Sequence, residues 1–241
     1  MNPTSNAPVT QIIHLRLPGK TGKPIFEHQR WNDVLDAVEK APDFLRVYWG
    51  QSLEHPQHVE IHVVRETLQQ HHEFLKSKEY QQVRFLIETI VGDVQVPVVR
   101  HAQMIDWTPQ SQALARGAPF TGTAIYLKTT NAWDEGAWPL WTHIVRYIDG
   151  CVGCSGGPLL EPVETVPGPR AQSVEKKALS QKFERCYIVY VGWATTEQHH
   201  AYHHTKHFAE HAVILRCGNE GFAEYGHVVF KGSREKNVSK L

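Results

Sequence analysis

Histidine, a side chain with acid–base and metal-binding chemistry, is abundant here, with 16 copies in 241 residues. Six of them fall within one short segment, and they are His199, His200, His203, His204, His207 and His211. Four recur at every fourth position, a spacing that suits pairs of metal ligands on a helix. At about 100° per residue, however, all six share one side of a helix, and apolar residues occupy the other side. We therefore predict a water-facing stripe, at most an adventitious binder of nickel or zinc, and we expect no functional metal ion or other cofactor. His199 lies at its edge and can reach the mouth of a cleft.

Polar residues also alternate with apolar ones in two predicted strands, residues 10–17 and 59–64. Because successive side chains of a strand point to opposite faces, the polar ones share the face away from the helices. We expect that face to hold His14, Arg16, Glu60 and His62, joined by Tyr126 and Lys128 from the second half of the chain. Charges in such an interior must be paired or solvated. The alternatives are a satisfied structural network and an acid–base site in which burial shifts the pKa of a His or Glu toward neutrality.

Two large residues, Arg65 and Trp193, end their strands on the helix-facing side. Each can line a pocket between helices and sheet, with Tyr48, His101 and His227 as polar neighbours. Trp193 fits an ordinary core equally well, since large aromatic side chains usually pack. Arg65 needs a partner on a packed face, and it can stabilise an enolate or a carboxylate.

The cysteines include one C-x-x-C, Cys151 to Cys154, among four in total. No second pair follows at zinc-finger spacing, so we predict free thiols in a reducing compartment. The chain also lacks G-x-S-x-G, the P-loop, the dinucleotide-binding fingerprint and H-E-x-x-H. Their absence predicts an enzyme without a nucleotide cofactor, if it is an enzyme.

A sequence repeat shows how these residues are positioned. Residues 65–80 and 193–208 match in register without a gap, and the matched pairs are Arg65 with Trp193, Thr67 with Thr195, His71 with His199, His72 with His200, Phe74 with Tyr202, Ser77 with Thr205 and Tyr80 with Phe208. Such a repeat indicates two copies of one unit. In each copy an apolar strand leads through a capping threonine into a helix.

The pattern of strands and helices in each copy reads β-α-β-β-α-β, the order of a ferredoxin-like unit. We place the first unit at residues 10–108, a linker at 109–119, the second unit at 120–232 with an insertion at 162–181, and a tail at 233–241. The helix at 67–90 should break near Ser77, and that at 196–217 should be continuous. The predicted fold class is α+β, with the two units packed sheet to sheet as a pseudo-dimeric α/β barrel.

Net charge and the C-terminal residues indicate which classes of partner the protein can have. Basic and acidic residues number 25 each, so the formal net charge is zero, which argues against nucleic acid or a membrane surface as a partner. The chain ends in Ser239, Lys240 and Leu241. This S-K-L tripeptide predicts recognition by the peroxisomal import receptor, with a cytoplasmic location otherwise. A small hydrophobic molecule and a further copy of the chain are the remaining partners we expect.

Three motifs carry a family resemblance: V-Y-W-G at residues 47–50, the T-x-x-x-H-x-x-F-x-x-S-x-x-Y frame from Thr67 with its echo from Thr195, and I-D-W-T-P at residues 105–109. With them the chain resembles the dimeric α/β-barrel superfamily, as a tandem-fused member of fungal type. That group includes antibiotic-biosynthesis monooxygenase-like proteins, stress-responsive proteins and small polyketide cyclases. The motifs are specific for the fold rather than for a reaction.

The resemblance also has implications for individual residues. Trp193 matches a Trp at the end of strand three in the cofactor-independent monooxygenases, where the first unit has Arg65. Tyr202 matches a helix Tyr of the cyclases, whose strand-one His position falls near Gln11. Neither the monooxygenase site nor the cyclase site has all of its residues in this chain.

Our first prediction is a cofactor-independent enzyme that cyclises a hydrophobic polyketide- or terpenoid-like intermediate by acid–base catalysis in a shaped pocket. The alternatives are cofactor-free oxygenation beside Trp193 and a non-catalytic ligand-binding or stress-response protein. Candidate catalytic residues are Arg65, Trp193, Tyr202, His14, His62, His101 and His227, and candidate substrate-binding residues are Tyr48, Trp49, Tyr126 and His199. If one unit alone is hollow, we expect it to be the second.

Overall fold

The computed structural model describes residues 8–17, 25–92, 97–164 and 182–236. The chain divides into two compact units. Among the described residues, the first unit contains those of 8–101 and 231–236, and the second contains those of 102–230. The S-K-L tripeptide and most of the insertion at 162–181 lie outside the described residues.

The first unit contains the predicted β-α-β-β-α-β order. Its elements are β1 (Val9–Arg16), α1 (Trp31–Lys40), β2 (Arg46–Ser52), β3 (His58–Arg65), α2 (Leu68–Lys76), α3 (Lys78–Val91) and β4 (Val98–Gln103). The strand order is β4-β1-β3-β2, with β1 and β2 antiparallel to β3. Alternate residues of β1 and β3, such as Ile13 and Ile61, share a buried cluster with Trp31, Val34 and Leu35 of α1. The apolar face of the sheet therefore lies against the helices, as the alternation predicted.

Two caps separate α2 from α3. The Thr67 hydroxyl accepts a hydrogen bond from the Gln70 N–H and the Gln70 side-chain oxygen accepts one from the Thr67 N–H, which completes a capping box. Ser77 then leaves the helical conformation and its hydroxyl accepts from the Tyr80 N–H. The predicted break near Ser77 is confirmed.

The second unit repeats this order. Its elements are β5 (Ile105–Asp106), β6 (Phe120–Leu127), α4 (Trp138–Val145), β7 (Cys151–Pro158), β8 (Val163–Glu164), β9 (Lys182–Phe183), β10 (Cys186–Trp193), α5 (Thr196–His203), α6 (Lys206–His211) and β11 (Phe222–Glu235). A π-helical turn, Trp133–Ala137, precedes α4, and a 3-10 turn, Ala212–Arg216, follows α6. The strand order β11-β6-β10-β7 matches that of the first unit, with β5 added at the β7 edge and β8 paired with β9. The α+β class with two ferredoxin-like units is confirmed.

The continuous helix predicted at 196–217 is wrong. The chain leaves the helix after His203, and the Thr205 hydroxyl accepts a hydrogen bond from the Phe208 N–H to begin α6. Thr205 therefore caps the start of α6 as Ser77 caps the start of α3. In both cases a hydroxyl accepts from an N–H that the start of a helix leaves unpaired. Every helix in the described ranges is too short or too polar to traverse a lipid bilayer.

Candidate functional site

A cavity of about 300 Å³ lies in the second unit, between the helix-facing side of its sheet and the helices. Its walls are mostly aromatic. The aromatic lining residues are Tyr126, Trp138, Trp141, Trp193, Tyr202, Phe208, Phe222 and Tyr225. Small or aliphatic residues of β6, β10 and α4, Leu215 of the 3-10 turn, and His199 and His203 of α5 complete the lining. A flat, mostly apolar ligand would match this surface.

Gly122 on β6 lines the cavity, and the absence of a side chain there contributes to the free volume. Gly122 pairs with Val191 on one side and with His227 on the other. A Cβ atom built on Gly122 would lie 3.8 Å from His199 Cε1 and 3.8 Å from His227 Cδ2, with no closer neighbour. A glycine inside a strand often marks a close approach by another group. Here it leaves room between the strand and the two imidazoles.

Two indole N–H groups at the cavity have no hydrogen-bond partner among the described residues. They belong to Trp193 at the end of β10 and Trp138 at the start of α4, and both nitrogens are buried. A buried donor left unpaired costs about 1–3 kcal/mol. An acceptor oxygen of a ligand would satisfy either donor.

Two buried imidazoles lie beside these donors. His199 Nδ1 is 3.0 Å from His227 Nε2, so one ring donates a hydrogen bond to the other. The His199 ring also packs on Trp193, with ring centroids 4.7 Å apart. Burial, and then the neighbouring His203 and His227, lower the pKa of His199 to about 3. His199 is therefore neutral at physiological pH.

His199, expected at the edge of the water-facing stripe and within reach of a cleft, is only 5% exposed and lines the cavity. His203 is half-buried and lines the cavity, and burial lowers its pKa, whereas His200 and His204 are exposed. The stripe is also divided, because α5 ends at His203 and His207 and His211 lie on α6. The helix is short, and its first turn packs His199 against Trp193.

Tyr202 is another polar lining residue that the sequence singled out. Its ring lies 5.7 Å from that of Trp193, and its hydroxyl is 3.3 Å from His207 Nδ1. Burial raises the pKa of Tyr202 to about 12, so the hydroxyl stays protonated and can donate a hydrogen bond. Trp193, Tyr202, His199 and His227 therefore lie together.

The equivalent place in the first unit is filled by protein side chains. Arg65 is fully buried, with its guanidinium carbon 4.0 Å from the ring centre of Phe74. Its Nη1 donates to His71 Nδ1 at 3.3 Å, and its Nε donates to the Pro42 carbonyl at 3.4 Å. Burial lowers the pKa of Arg65 to about 10, which still leaves it charged at neutral pH. Arg65 thus takes up the space that a ligand would need.

The histidines of the first unit are tied to the protein as well. His71 Nε2 donates to the Val9 carbonyl at 2.8 Å, and burial lowers the pKa of His71 to about 3. His101 lies 3.2 Å from the Gln11 side-chain nitrogen. A separate cavity of about 60 Å³ lies away from these residues, between β1 and α3.

The opposite face of the first sheet holds the predicted polar network. Glu60 accepts from His62 Nε2 at 3.1 Å and lies 3.5 Å from His14 Nδ1. Burial lowers the pKa of His62 despite the hydrogen bond to Glu60. Tyr48 stacks on His62 with centroids 4.6 Å apart, so its predicted place beside Arg65 is wrong. Because its members contact one another, the cluster forms a paired structural network.

Three predicted placements need correction. Tyr126 packs on Trp133, with centroids 4.1 Å apart, and lines the cavity, so it faces the helices rather than the polar network. Burial raises its pKa. Lys128 follows the end of β6 and pairs with Glu220 at 2.7 Å near the surface. Arg16 is exposed. A register prediction at a strand end fails most easily, because the end residue is free to leave the alternation.

Two further sequence predictions concern the core. Trp49 packs edge-on against Trp31, with centroids 5.9 Å apart, inside the hydrophobic core of the first unit. All four cysteines are free thiols, as predicted. The hydrogen bond to Cys154 is the largest cause that lowers the pKa of Cys151.

Gly122, Trp138 and Trp141 were not among the predicted site residues. A glycine within an otherwise bulky strand was the available signal for Gly122. The two tryptophans carried no signal of their own, because an aromatic helix face is as typical of a plain core as of a cavity wall.

Comparisons with known proteins place the fold. No protein-family model matches the chain, and no curated protein matches it. Among solved structures, an anthrone oxidase-like protein is similar over 98% of both chains, with a TM-score of 0.63 and 9% identity. A candidate monooxygenase from Lactobacillus acidophilus NCFM is similar over 95% of this chain and 97% of its own, with a TM-score of 0.52 and 11% identity.

A second candidate monooxygenase, from Fusobacterium nucleatum, is similar over 98% of this chain and all of its own length, with a TM-score of 0.53 and 8% identity. At these identities the likeness is one of fold. The chain therefore has the fold of monooxygenase-like and anthrone oxidase-like proteins, in agreement with the predicted α/β-barrel class.

Proposed function

We propose that this protein is a cofactor-independent oxygenase that acts on a flat aromatic phenol or enol in the cavity of the second unit. The observation that carries the proposal is the cavity itself, whose aromatic walls hold two unpaired indole donors and the neutral imidazole of His199. The neighbours named as monooxygenases and as an anthrone oxidase-like protein share its fold and favour this reaction class.

Size and polarity favour a substrate of a few fused rings. A cavity of about 300 Å³ is at the lower end of the range for small-molecule sites, which is about 300–1,000 Å³. Trp138, Trp141 and Trp193 offer ring faces against which such a molecule can stack. A ring oxygen would accept from Trp193 Nε1 or Trp138 Nε1, the donors that lack a partner among the described residues.

The proposed reaction needs only the substrate and O2 as reactants. An acidic CH2 group next to a carbonyl or phenol ring loses a proton to His199 or His203, and the indole donors stabilise the resulting oxygen anion. The anion passes one electron to O2, and recombination with superoxide and a proton forms a C–OOH group. Loss of water then leaves a carbonyl. One oxygen atom enters the product and the other leaves as water with the two hydrogens of the CH2 group, so no external reductant is needed.

The other two functions stay predictions from the sequence. Cyclisation of a natural-product intermediate would use the same cavity but would consume no O2. A non-catalytic binding protein would hold the ligand unchanged. The three therefore separate on oxygen consumption and on product formation.

The test is oxygen uptake by untagged, chelator-treated protein with a tricyclic ketone that carries an acidic CH2 group. We expect one O2 consumed per substrate, one 18O atom from 18O2 in the product, and a kcat/KM at least 100-fold lower in His199→Gln. The matched control is His71→Gln, the aligned position of the first unit, which should keep its activity per folded molecule. Equal turnover without oxygen would establish cyclisation instead, and binding without turnover would establish the binding function.

A further inference from the structure

We propose that His199, His200 and His227 form a binding site for one divalent transition-metal ion, such as Zn²⁺, Ni²⁺ or Cu²⁺. Each ring offers one nitrogen atom, and these three atoms lie within 4.8 Å of one another. Two of the rings are buried and the third, His200, is exposed. The site lies at an edge of the aromatic cavity, because His199 lines that cavity.

The backbone brings the three rings together from two elements. His199 and His200 lie in the middle of α5, which the Thr195 hydroxyl caps by accepting from the Gln198 N–H. His227 lies on β11, where it pairs with Gly122. Gly122 has no side chain, and a Cβ built there would lie 3.8 Å from each of the two buried rings. Both supporting elements are held by hydrogen bonds that do not involve the imidazoles.

The spacing suits metal coordination after a small adjustment. Zn–N bonds of about 2.0–2.1 Å in a tetrahedron place neighbouring nitrogens about 3.3 Å apart. His199 Nδ1 and His227 Nε2 already lie 3.0 Å apart. His200 is exposed, so its side chain can rotate to close the third edge without disturbing the core. Three imidazoles would leave a fourth position for water or a ligand atom.

The ligand chemistry favours these metals over Mg²⁺ or Ca²⁺. Imidazole nitrogen suits zinc, nickel and copper, whereas magnesium and calcium take oxygen ligands. Only the deprotonated ring binds a metal.

The first unit supplies an internal contrast. His71 and His72 align with His199 and His200, and the ring of His101 lies 5.1 Å from that of His71. Both nitrogens of His71 are used, since Nδ1 accepts from Arg65 and Nε2 donates to the Val9 carbonyl. His71 is therefore not available as the central ligand of an equivalent three-histidine site.

One competing site lies on the same helical segment. His207 and His211 stack with centroids 4.2 Å apart, and an i, i+4 pair of exposed or half-buried histidines binds metal weakly by itself. Variants must therefore distinguish the three-histidine site from this pair. His200→Ala removes only an exposed ligand, so we expect the fold and its stability to be retained.

The experiment is Co²⁺ titration of the untagged full chain, read by visible absorption, followed by Zn²⁺ competition against a coloured chelator. We expect one tight site per chain. His200→Ala should weaken it at least tenfold, because loss of even an outer-shell partner typically costs 10–100-fold. The matched control is His204→Ala, an exposed histidine four residues further along, which should change the affinity by less than twofold.

The outcome does not depend on any catalytic activity. If His211→Ala weakens the site as much as His200→Ala, the metal is held by the helical pair and the proposal is wrong. Unchanged affinity in His200→Ala, or the absence of a tight site in the wild-type chain, would overturn it as well. His227→Gln should weaken metal binding as His200→Ala does. Its unfolding curve must match that of the wild-type chain for this comparison.

Discussion

In the first unit the rings of His71 and His101 lie 5.1 Å apart, and in the second the rings of His199 and His227 lie 4.9 Å apart. Each pair joins a helix histidine to one near the last strand of its unit. The first pair is hydrogen-bonded to Arg65, Val9 and Gln11 of the protein. The second pair borders a cavity of about 300 Å³. One arrangement of histidines thus serves a packed interior in one unit and an open site in the other.

The difference rests on two exchanges between aligned positions. Val9 pairs with Arg65 as Phe120 pairs with Trp193, so Gln11 of β1 corresponds to Gly122 of β6. In the first unit a long amide and a guanidinium fill the space between sheet and helices. In the second, an indole at the strand end and a glycine without a side chain leave it open. The comparison teaches that a site can arise in a duplicated unit by removal of a filling side chain.

Gly122→Gln should have the largest effect, because it restores to the second unit the side chain that Gln11 supplies to the first. We expect ligand binding and oxygen uptake to fall about 100-fold or more, since displacement of a substrate by about 1 Å can cost 10²-fold. Oxygen uptake and ligand titration measure this. Gly122→Ala is the matched control, because its Cβ would meet only contacts of 3.8 Å. Full activity in Gly122→Gln would mean that the cavity is not the site.

Acid should destabilise both units through their buried helix histidines. His71 and His199 have folded-state pKa values of about 3, below the 6.5 of a free imidazole. The unfolded chain therefore binds more protons between pH 6.5 and pH 3, and the free energy of unfolding falls as the pH falls through that window. The expected slope is about 1.4 kcal/mol per pH unit for each histidine.

Denaturant unfolding at several pH values checks this expectation. His71→Gln and His199→Gln should each remove the contribution of one histidine. The free energy of unfolding should then fall less steeply as the pH is lowered. His204→Ala is the control, because this exposed ring has no buried environment to lose. An identical slope in the wild type and both glutamine variants would contradict the burial argument.

The smallest effect should come from the paired helix breaks. Ser77→Ala and Thr205→Ala each remove a hydroxyl that accepts from a helix N–H, at Tyr80 and Phe208. We expect each to lower the free energy of unfolding by about 1 kcal/mol, with the serine in Thr205→Ser restoring most of it. Thermal unfolding measures the change. A loss at one position only would show that the two breaks are not equivalent.

Much of the fold could be read from local patterns. Apolar alternation placed β1 and β3, and a capping threonine with glutamine three residues later placed the start of α2. The break at Ser77 was predicted, yet its aligned partner Thr205 was read as the interior of a helix. Serine and threonine can cap or continue a helix, and the local sequence does not decide between the two. That error extended one predicted histidine stripe across Thr205 into a second helix.

The sequence by itself determined the duplicated β-α-β-β-α-β order, the matched frames from Arg65 and Trp193, and the pairing of His71 with His199, since these follow from spacing and periodicity. Only the tertiary structure decided that one frame is packed and the other encloses a cavity. The cavity is closed by residues far apart in the chain, such as Gly122, Trp138 and Phe222. Free volume and the pKa of a buried imidazole both depend on which distant side chains meet there, and no local pattern records that meeting.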